Sequence, residues 1–326
     1  MEKTNMNSRN EAPNFPRGTK LLGKWNRNVY HILKPLGRGA TGIVYLADSK
    51  YGKVALKIGH NSMSITSEVN VLKHFGKVQG QILGPSFIDT DDCIVRGQKH
   101  PFYVMEYLQG VPVFDHLKEH GNEWAPVFMV QLLGDLSRLH RAGWVFGDLK
   151  PENLLITGPP YRVRWLDVGG TTIKGRAIKE YTEFYDRGYW GIGDRKADEQ
   201  YDLFAAGMIF IHLIEKKRFE KGNDGKQTLM TCLERNEQLR PYRHWLKKMV
   251  QGSFQDAEAA RTDLMKFIAK REDRHRKVDQ SARPKRRKKM RKKAQKQPAL
   301  VGIVDLVLVI AFLLITSVLY LVGQMI

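Results

Sequence analysis

Asp148, Lys150 and Asn153 fall close together in the run Val145-Phe146-Gly147-Asp148-Leu149-Lys150-Pro151-Glu152-Asn153. One short loop thus offers an acid, a cation and an amide, which is what phosphoryl transfer asks of a protein. The Asp can orient a hydroxyl nucleophile, the Lys can neutralise charge on the moving group, and the Asn can hold Mg²⁺. The plainer reading is a helix-start turn with Pro151 at the first helical position. A second acid, Asp167, stands fourteen residues after Asn153 in Leu166-Asp167-Val168-Gly169. Oxygen ligands on Asp167 and Asn153 suit Mg²⁺ bridging phosphates better than a softer metal.

These groups need elements that hold a nucleotide against them. Gly37-Arg38-Gly39-Ala40-Thr41-Gly42-Ile43-Val44 matches G-x-G-x-x-G-x-V. Glycines let a hairpin backbone close over phosphates where a Cβ would intrude, and Val44 gives a base an apolar face. Alone the glycine pattern is weak, since dinucleotide-binding turns share it. Here Tyr30–Leu33 and Val44–Ala47 both read as strand, which disfavours a strand–helix nucleotide unit. Val54-Ala55-Leu56-Lys57-Ile58 is a strand carrying one lysine in an apolar run. Buried, that charge needs a partner; snorkelling at a strand edge is the alternative. Glu68 opens a stretch with apolar residues at Val69, Leu72 and Phe75, the spacing of a one-faced helix from which Glu68 can reach Lys57.

Taken in this order, residues 28–255 resemble the Hanks-type, eukaryotic-like Ser/Thr protein kinases of bacteria. The plan of the whole chain is similar to short tail-anchored members from spore-forming bacilli, which brings sporulation into view as a setting. The resemblance implies an α+β, two-lobed protein-kinase fold, with a β-rich N-lobe on a helical C-lobe and ATP between them. It assigns Asp148 and Lys150 to catalysis and Asn153 and Asp167 to metal. It gives Gly37, Gly39, Ala40, Thr41, Gly42, Val44, Ala55, Lys57, Glu68, Met105, Glu106 and Leu108 to ATP. Within Phe102–Gly110, Met105 would be the gatekeeper, and the backbones of Glu106 and Leu108 would bond adenine. Leu132–Gly143 fits the helix before the catalytic loop, Asp202 the acid that buttresses that loop, and Leu239-Arg240-Pro241 the late Arg-Pro element.

The departures carry their own expectations. Phe146-Gly147 stands where His-Arg is usual, and Gly147 cannot pair with a phosphorylated activation loop as an arginine would. Activity should therefore depend weakly on phosphate in that loop, whose candidate phosphosites are Thr171, Thr172 and Thr182. Val168 replaces a Phe, a loss worth about 1–3 kcal/mol of active-state preference by burial arithmetic. No A-P-E run is recognisable: Thr182-Glu183-Phe184-Tyr185 is followed by Asp186-Arg187-Gly188-Tyr189-Trp190.

A chain of 326 residues, 42% apolar, allows one two-lobed domain plus tails. Cys93 and Cys232 are isolated and fit a reducing cytoplasm. Residues 1–27 read as a polar, loose arm, and residues 256–282 as a mixed-charge helical connector packing on the C-lobe. Residues 299–322 are almost wholly apolar, with Asp305 the only charge. These 24 residues at about 1.5 Å each make roughly 36 Å of helix, enough for a bilayer core of about 30 Å. The expectation is a single-pass tail anchor in the cell membrane, with residues 323–326 beyond it.

Residues 283–298 are polybasic. Ten of the fourteen residues from Arg283 to Lys296 are Lys or Arg and none is acidic, half the formal net charge of +20. Basic flanks stay inside, so the kinase domain would face the cytoplasm and its ATP. Three uses are open: topology signal, anionic lipid at the inner membrane surface, and DNA held without sequence specificity. The residues concerned are Arg283, Lys285, Arg286, Arg287, Lys288, Lys289, Arg291, Lys292 and Lys293. No aromatic residue is interleaved, so base stacking is not expected. Function then reads as a membrane-tethered kinase using ATP and Mg²⁺ on protein substrates. Two alternatives stand beside it. One is a small-molecule phosphotransferase, which Gly147-Asp148 favours. The other is a pseudokinase scaffold, which Phe146, Gly147, Val168 and the missing A-P-E favour.

Overall fold

The computed structural model describes residues 12–39, 41–76 and 83–282. Ala40 and residues 283–326, with their basic and apolar runs, lie outside the described residues. Among the described residues no helix is long and apolar enough to cross a membrane.

The N-lobe is a six-stranded antiparallel sheet ordered β1-β2-β3-β4-β6-β5. Its strands are β1 (Lys20–Leu22), β2 (Val29–Gly39), β3 (Gly42–Ser49), β4 (Gly52–Gly59), β5 (Phe87–Val95) and β6 (Gln98–Glu106). Helix α1 (Ser62–Phe75) lies between β4 and β5 in the chain. Asn61 caps it, its side chain accepting from Ser64 N at 2.8 Å. Ile65, Val69, Leu72 and Phe75 form its buried stripe, and Glu68 is buried with them.

The sheet begins earlier than the sequence indicates. Residues 12–27 are not a loose arm: β1 pairs with β2, Ala12 and Leu21 are buried, and Ala12 N donates to His60 Nδ1 at 2.8 Å. The turn after β1 is fastened to β5. Asp91 accepts from Trp25 N and, at 2.7 Å, Asn26 N. Asp89 accepts from Asn26 Nδ2, Asn28 Nδ2 and, at 2.6 Å, the Tyr30 hydroxyl. Gly23 is required there, since a Cβ would stand 2.4 Å from Asp91 Oδ2.

The C-lobe opens with β7 (Val111–Pro112), α2 (Val113–His120) and α3 (Trp124–Arg141). Three short pairings follow, made by β8 (Trp144–Val145), β9 (Leu154–Thr157), β10 (Arg162–Trp165) and β11 (Thr172–Ile173). β9 pairs with both β10 and β7, and β11 with β8. Helix α4 (Glu199–Glu215) is buried on nearly every face, as its apolar run through Leu203–Ile214 demands. Asp198 caps it, accepting from Tyr201 N at 3.0 Å. Helices α5 (Gly225–Arg235), α6 (Arg243–Val250) and α7 (Ala257–Ala282) complete the order. Ala257, Ala260 and Leu264 of α7 join the main core.

Candidate active site

Glycine positions separate what the fold needs from what a ligand needs. A Cβ on Gly42 would sit 2.1 Å from the Ile58 carbonyl oxygen, so this glycine lets β3 approach β4. A Cβ on Gly37 or Gly39 would meet nothing within 4 Å. Those two keep clear a space the protein does not fill, at the roof of a cleft of about 560 Å³ between the lobes. Leu36, Val44, Ala55, Met105, Leu108 and Leu155 line its apolar part, and Lys57, Asn153 and Asp167 its polar end. The size and the mix of apolar walls with few polar groups suit a nucleotide. Thr41 is described beside this roof but Ala40 is not.

Lys57 lies in the middle of β4, opposite Tyr103 of β6 and Val44 of β3. Its charge is buried and paired: Nζ donates to Glu68 Oε2 at 2.6 Å and stands 3.9 Å from Asp167 Oδ1. The snorkelling alternative does not apply. Tyr103, which the sequence reading passed over, donates its hydroxyl to the same Glu68 oxygen at 2.8 Å. Burial, and then the charges of Glu68 and Asp167, push that phenol well above its usual range, so it remains a donor. Glu106, next to Met105, uses its carboxylate structurally, accepting from Arg164 at 2.9 Å and from Ser86 N at 3.1 Å. Burial raises its pKa, but Arg164 and Ser86 outweigh burial and leave it below the ordinary carboxylate value.

The catalytic-loop residues converge on Asp148. Lys150 Nζ donates to Asp148 Oδ2 at 2.5 Å. Asn153 Nδ2 donates to the Asp148 carbonyl at 2.8 Å. That bond commits the Asn153 nitrogen and leaves its amide oxygen as the acceptor. Asp167 holds Gly169 N at 2.9 Å through Oδ1, and its side chain is 53% exposed to the cleft. The two free oxygen donors beside an open phosphate space fit a hard divalent cation, so Mg²⁺ is chemically compatible with this site.

Thr182 belongs to this cluster. Its Oγ1 donates to Asp148 Oδ1 at 3.3 Å and lies 3.4 Å from Lys150 Nζ. As a phosphosite it would set a dianion against the Asp148 carboxylate. Thr171 and Thr172 are 0% and 2% exposed, the second in β11 paired to Val145. In this conformation Thr171 and Thr172 are enclosed, and the hydroxyl of the half-buried Thr182 is turned to Asp148. Glu180, also passed over, is exposed at the surface, yet partial desolvation and then the charges of Asp167 and Asp148 raise its pKa, so it brings a further acid near the cleft.

Behind the loop, Asp202 is fully buried and accepts from Phe146 N at 2.7 Å, Gly147 N at 2.9 Å and His140 Nε2 at 2.9 Å. The ring missing at Val168 is supplied next door. Trp165 stacks edge-on with Phe146 at 4.9 Å and with Phe75 of α1 at 5.9 Å. An aromatic row thus links the catalytic loop to α1, and Val168 remains buried.

The missing A-P-E also has a substitute. Asp186, 0% exposed, accepts from Tyr201 OH at 2.9 Å, Arg195 Nε at 2.8 Å and Tyr189 N at 2.9 Å. Arg187 grips Asp198 through two nitrogens at 2.8 Å each and Asp194 at 2.9 Å. Arg240 of the late Arg-Pro element sits at the surface beside Glu237. Asp-Arg after Thr-x-x-Tyr is the sequence signal that could have found this network, but its partners come from residues 194–201 and no spacing rule links them.

Comparison with known proteins agrees with this geometry. The protein kinase domain family matches residues 30–284. The chain is 50% identical over 280 residues to the serine/threonine-protein kinase YabT of Bacillus subtilis (strain 168), covering 85% of this chain and 83% of that protein. It is 31% identical to Aurora/IPL1-related protein kinase 2 of Caenorhabditis briggsae, over 62% of this chain and 69% of the relative. It is 27% identical to mitogen-activated protein kinase 10 of Arabidopsis thaliana, over 62% and 54% respectively. With a roof kept clear of side chains, a buried Lys57–Glu68 pair and Asp148 at the centre of its own loop, this chain belongs to the protein kinase family and is a serine/threonine protein kinase of the bacterial, YabT-like kind.

Proposed function

We propose that this kinase works at the inner membrane surface, passing the γ-phosphoryl of ATP to Ser and Thr hydroxyls of proteins. Asp148 would orient the incoming hydroxyl, with Thr182 and Lys150 fixing its two oxygens. Lys150 would also meet the charge on the transferring group, and Lys57, set by Glu68, would hold the nucleotide phosphates. Asn153 and Asp167 would hold Mg²⁺, which when bound neutralises phosphate charge and aligns the leaving group. The observation that carries this reading is the convergence of Lys150, Asn153 and Thr182 on Asp148, with the Lys57–Glu68 pair closed at 2.6 Å. Phosphoryl transfer is mostly positioning and electrostatics, and these contacts supply both.

The tether reading rests on the apolar residues 299–322 and on the basic residues 283–298 before them. Each cation near an anionic surface contributes about 1 kcal/mol before screening. The same residues would neutralise DNA phosphates, with a steep salt dependence and no base preference. DNA held there would raise the local concentration of DNA-bound substrates.

One experiment separates these parts. Full-length protein and a form lacking residues 299–326 are given labelled ATP, Mg²⁺ and a protein substrate, with and without DNA, beside Lys57→Ala and Asp148→Ala. Label on Ser or Thr that vanishes in both variants is expected; label that persists in Asp148→Ala would remove that residue from the chemistry. Only the full-length protein should sediment with membranes. Absence of DNA retardation at low salt would dispose of the nucleic-acid reading.

A further inference from the structure

The stretch between β11 and Thr182 is held in a way that neither the catalytic roles nor the family resemblance accounts for. Residues 175–178 run antiparallel to residues 195–197. Gly175 N donates to Ala197 O at 2.8 Å, Ala197 N to Arg176 O at 2.7 Å and Ile178 N to Arg195 O at 2.9 Å. Ala177 and Lys196 form the bridge between the two strands. Ile178, 8% exposed, packs in a small buried cluster of its own with Val145, Ala197 and Tyr201, apart from the main core.

Gly147 lies against Ile178. It has φ +84°, where a side chain is strained, and a Cβ there would lie 2.8 Å from the Gly170 carbonyl oxygen. The same Cβ would lie 3.5 Å from Ile178 Cδ1, so the isoleucine methyl occupies the side of the loop where an arginine at 147 would emerge. A guanidinium there would attract an anion; the chain presents an apolar plug instead. Tyr201, in the same cluster, donates to Asp186, so the plug also adjoins the Asp186 network described above.

We infer that Ile178 is a positioning residue. It keeps the segment seated by apolar burial and three backbone bonds, and so sets Thr182 against Asp148 with no phosphate on the segment. The inference rests on the proposed role of Asp148 but concerns how its partner is held. Burial is permanent where a phosphate is added and removed, so this anchor makes the seated state the resting state.

The test uses the full-length chain in detergent, treated with phosphatase, and the variants Ile178→Asn, Ile178→Ala and Ile178→Val. Treated wild type should keep its activity within about twofold. Ile178→Asn should lose roughly 30-fold in kcat for a protein substrate, with Ile178→Ala between and Ile178→Val restored to near wild type, because misplacement near the chemistry of an ångström costs on the order of 100-fold. ATP affinity, followed by fluorescent nucleotide displacement, should hold within about twofold in all three. Amide exchange at Ile178 and Ala197 should quicken in the Asn and Ala variants, a readout a merely stabilising residue would not move selectively. Full activity of Ile178→Asn, or loss of activity in phosphatase-treated wild type, overturns the inference. Should Ile178→Asn not fold, Ile178→Ala carries the test, and wild-type exchange and kcat in that variant would equally overturn it. Failure of the catalytic reading looks different: Asp148→Asn would then retain transfer whatever Ile178 does.

Discussion

The nucleotide half of the cleft and the segment that follows Asp167 solve the same problem, holding charged or polar atoms still, by opposite means. On the nucleotide side Lys57, Glu68 and Tyr103 form a buried, fully specified ion pair with a hydrogen-bonded support. On the segment side, seating depends on Ile178, a strip of backbone bonds and the Asp186 and Arg187 networks. Phosphates and a cation impose their own geometry, so residues that face them have few substitutes. A segment that must only be held in place can be held by a phosphate, an apolar plug or a buried acid. The first half is constrained by chemistry and the second by mechanics.

The largest expected effect breaks the first half without disturbing the second. The double change Lys57→Met with Glu68→Gln should lower phosphate transfer by about 100-fold or more while the unfolding midpoint in urea moves little, because an uncharged pair of similar volume leaves neither a buried cation nor a buried carboxylate unpaired. A midpoint that collapsed with the activity would mean the pair is there for stability. The converse comes from Asp186→Ala, which leaves the Arg195 guanidinium and the Tyr201 hydroxyl without their buried acceptor. The Arg195 side chain is partly exposed and can turn to water, so the cost comes mainly from the buried Tyr201 hydroxyl and should be about 1–3 kcal/mol in urea unfolding, while nucleotide affinity measured below the transition is retained.

Between these two lies the aromatic row. Trp165→Leu removes ring contact with both Phe146 and Phe75 and should cost about 2–3 kcal/mol, within the range for large-to-small core changes. Transfer should fall as well, since the row links α1 to the catalytic loop. Unchanged turnover in a folded variant would show that the row is only packing.

The sequence spoke most clearly where charge is tied to phosphate. Lys57, Asp148, Asn153 and Asp167 were readable because acid, amide and lysine recur at spacings few other structures need. Thr182 was noticed for its hydroxyl but not for its contact with the catalytic loop, because nothing in the local pattern tells that Asp148 lies 3.3 Å away. Val168 looked like a deficit because the compensating ring sits at Trp165, and a packing volume has no one-dimensional signature. Ile178 and Asp186 were illegible for a related reason: their partners are brought together by α4 and the loop before it. The strand Lys20–Leu22 is too short and too polar at its flanks to announce itself, although three acids at Asp89, Asp91 and Asp92 were asking for donors.

The smallest effect concerns those acids and follows pH. Burial pushes Asp89 up, but hydrogen bonds from Tyr30, Asn28, Asn26 and Thr90 N win and hold it below the ordinary carboxylate value. A depressed folded pKa contributes stability that is present above the unfolded value of about 3.9 and is lost as pH falls through the folded one. Melting temperature should therefore drop below about pH 4, and Asp89→Asn should flatten that acid limb. An identical acid limb in the variant would remove Asp89 from the explanation.

The fastening of the first turn to β5 also decides how the protein can be cut. A fragment started at residue 28, where the family pattern begins to be recognisable, would discard the backbone donors of Trp25 and Asn26 and leave Asp91 enclosed without them. It would also bare the outer rim of β2, whose free peptide groups would be open to recruitment by a second molecule. Recombinant pieces of this enzyme should keep residue 12 onward, and clumping of shorter ones would reflect a missing hem rather than a defective kinase.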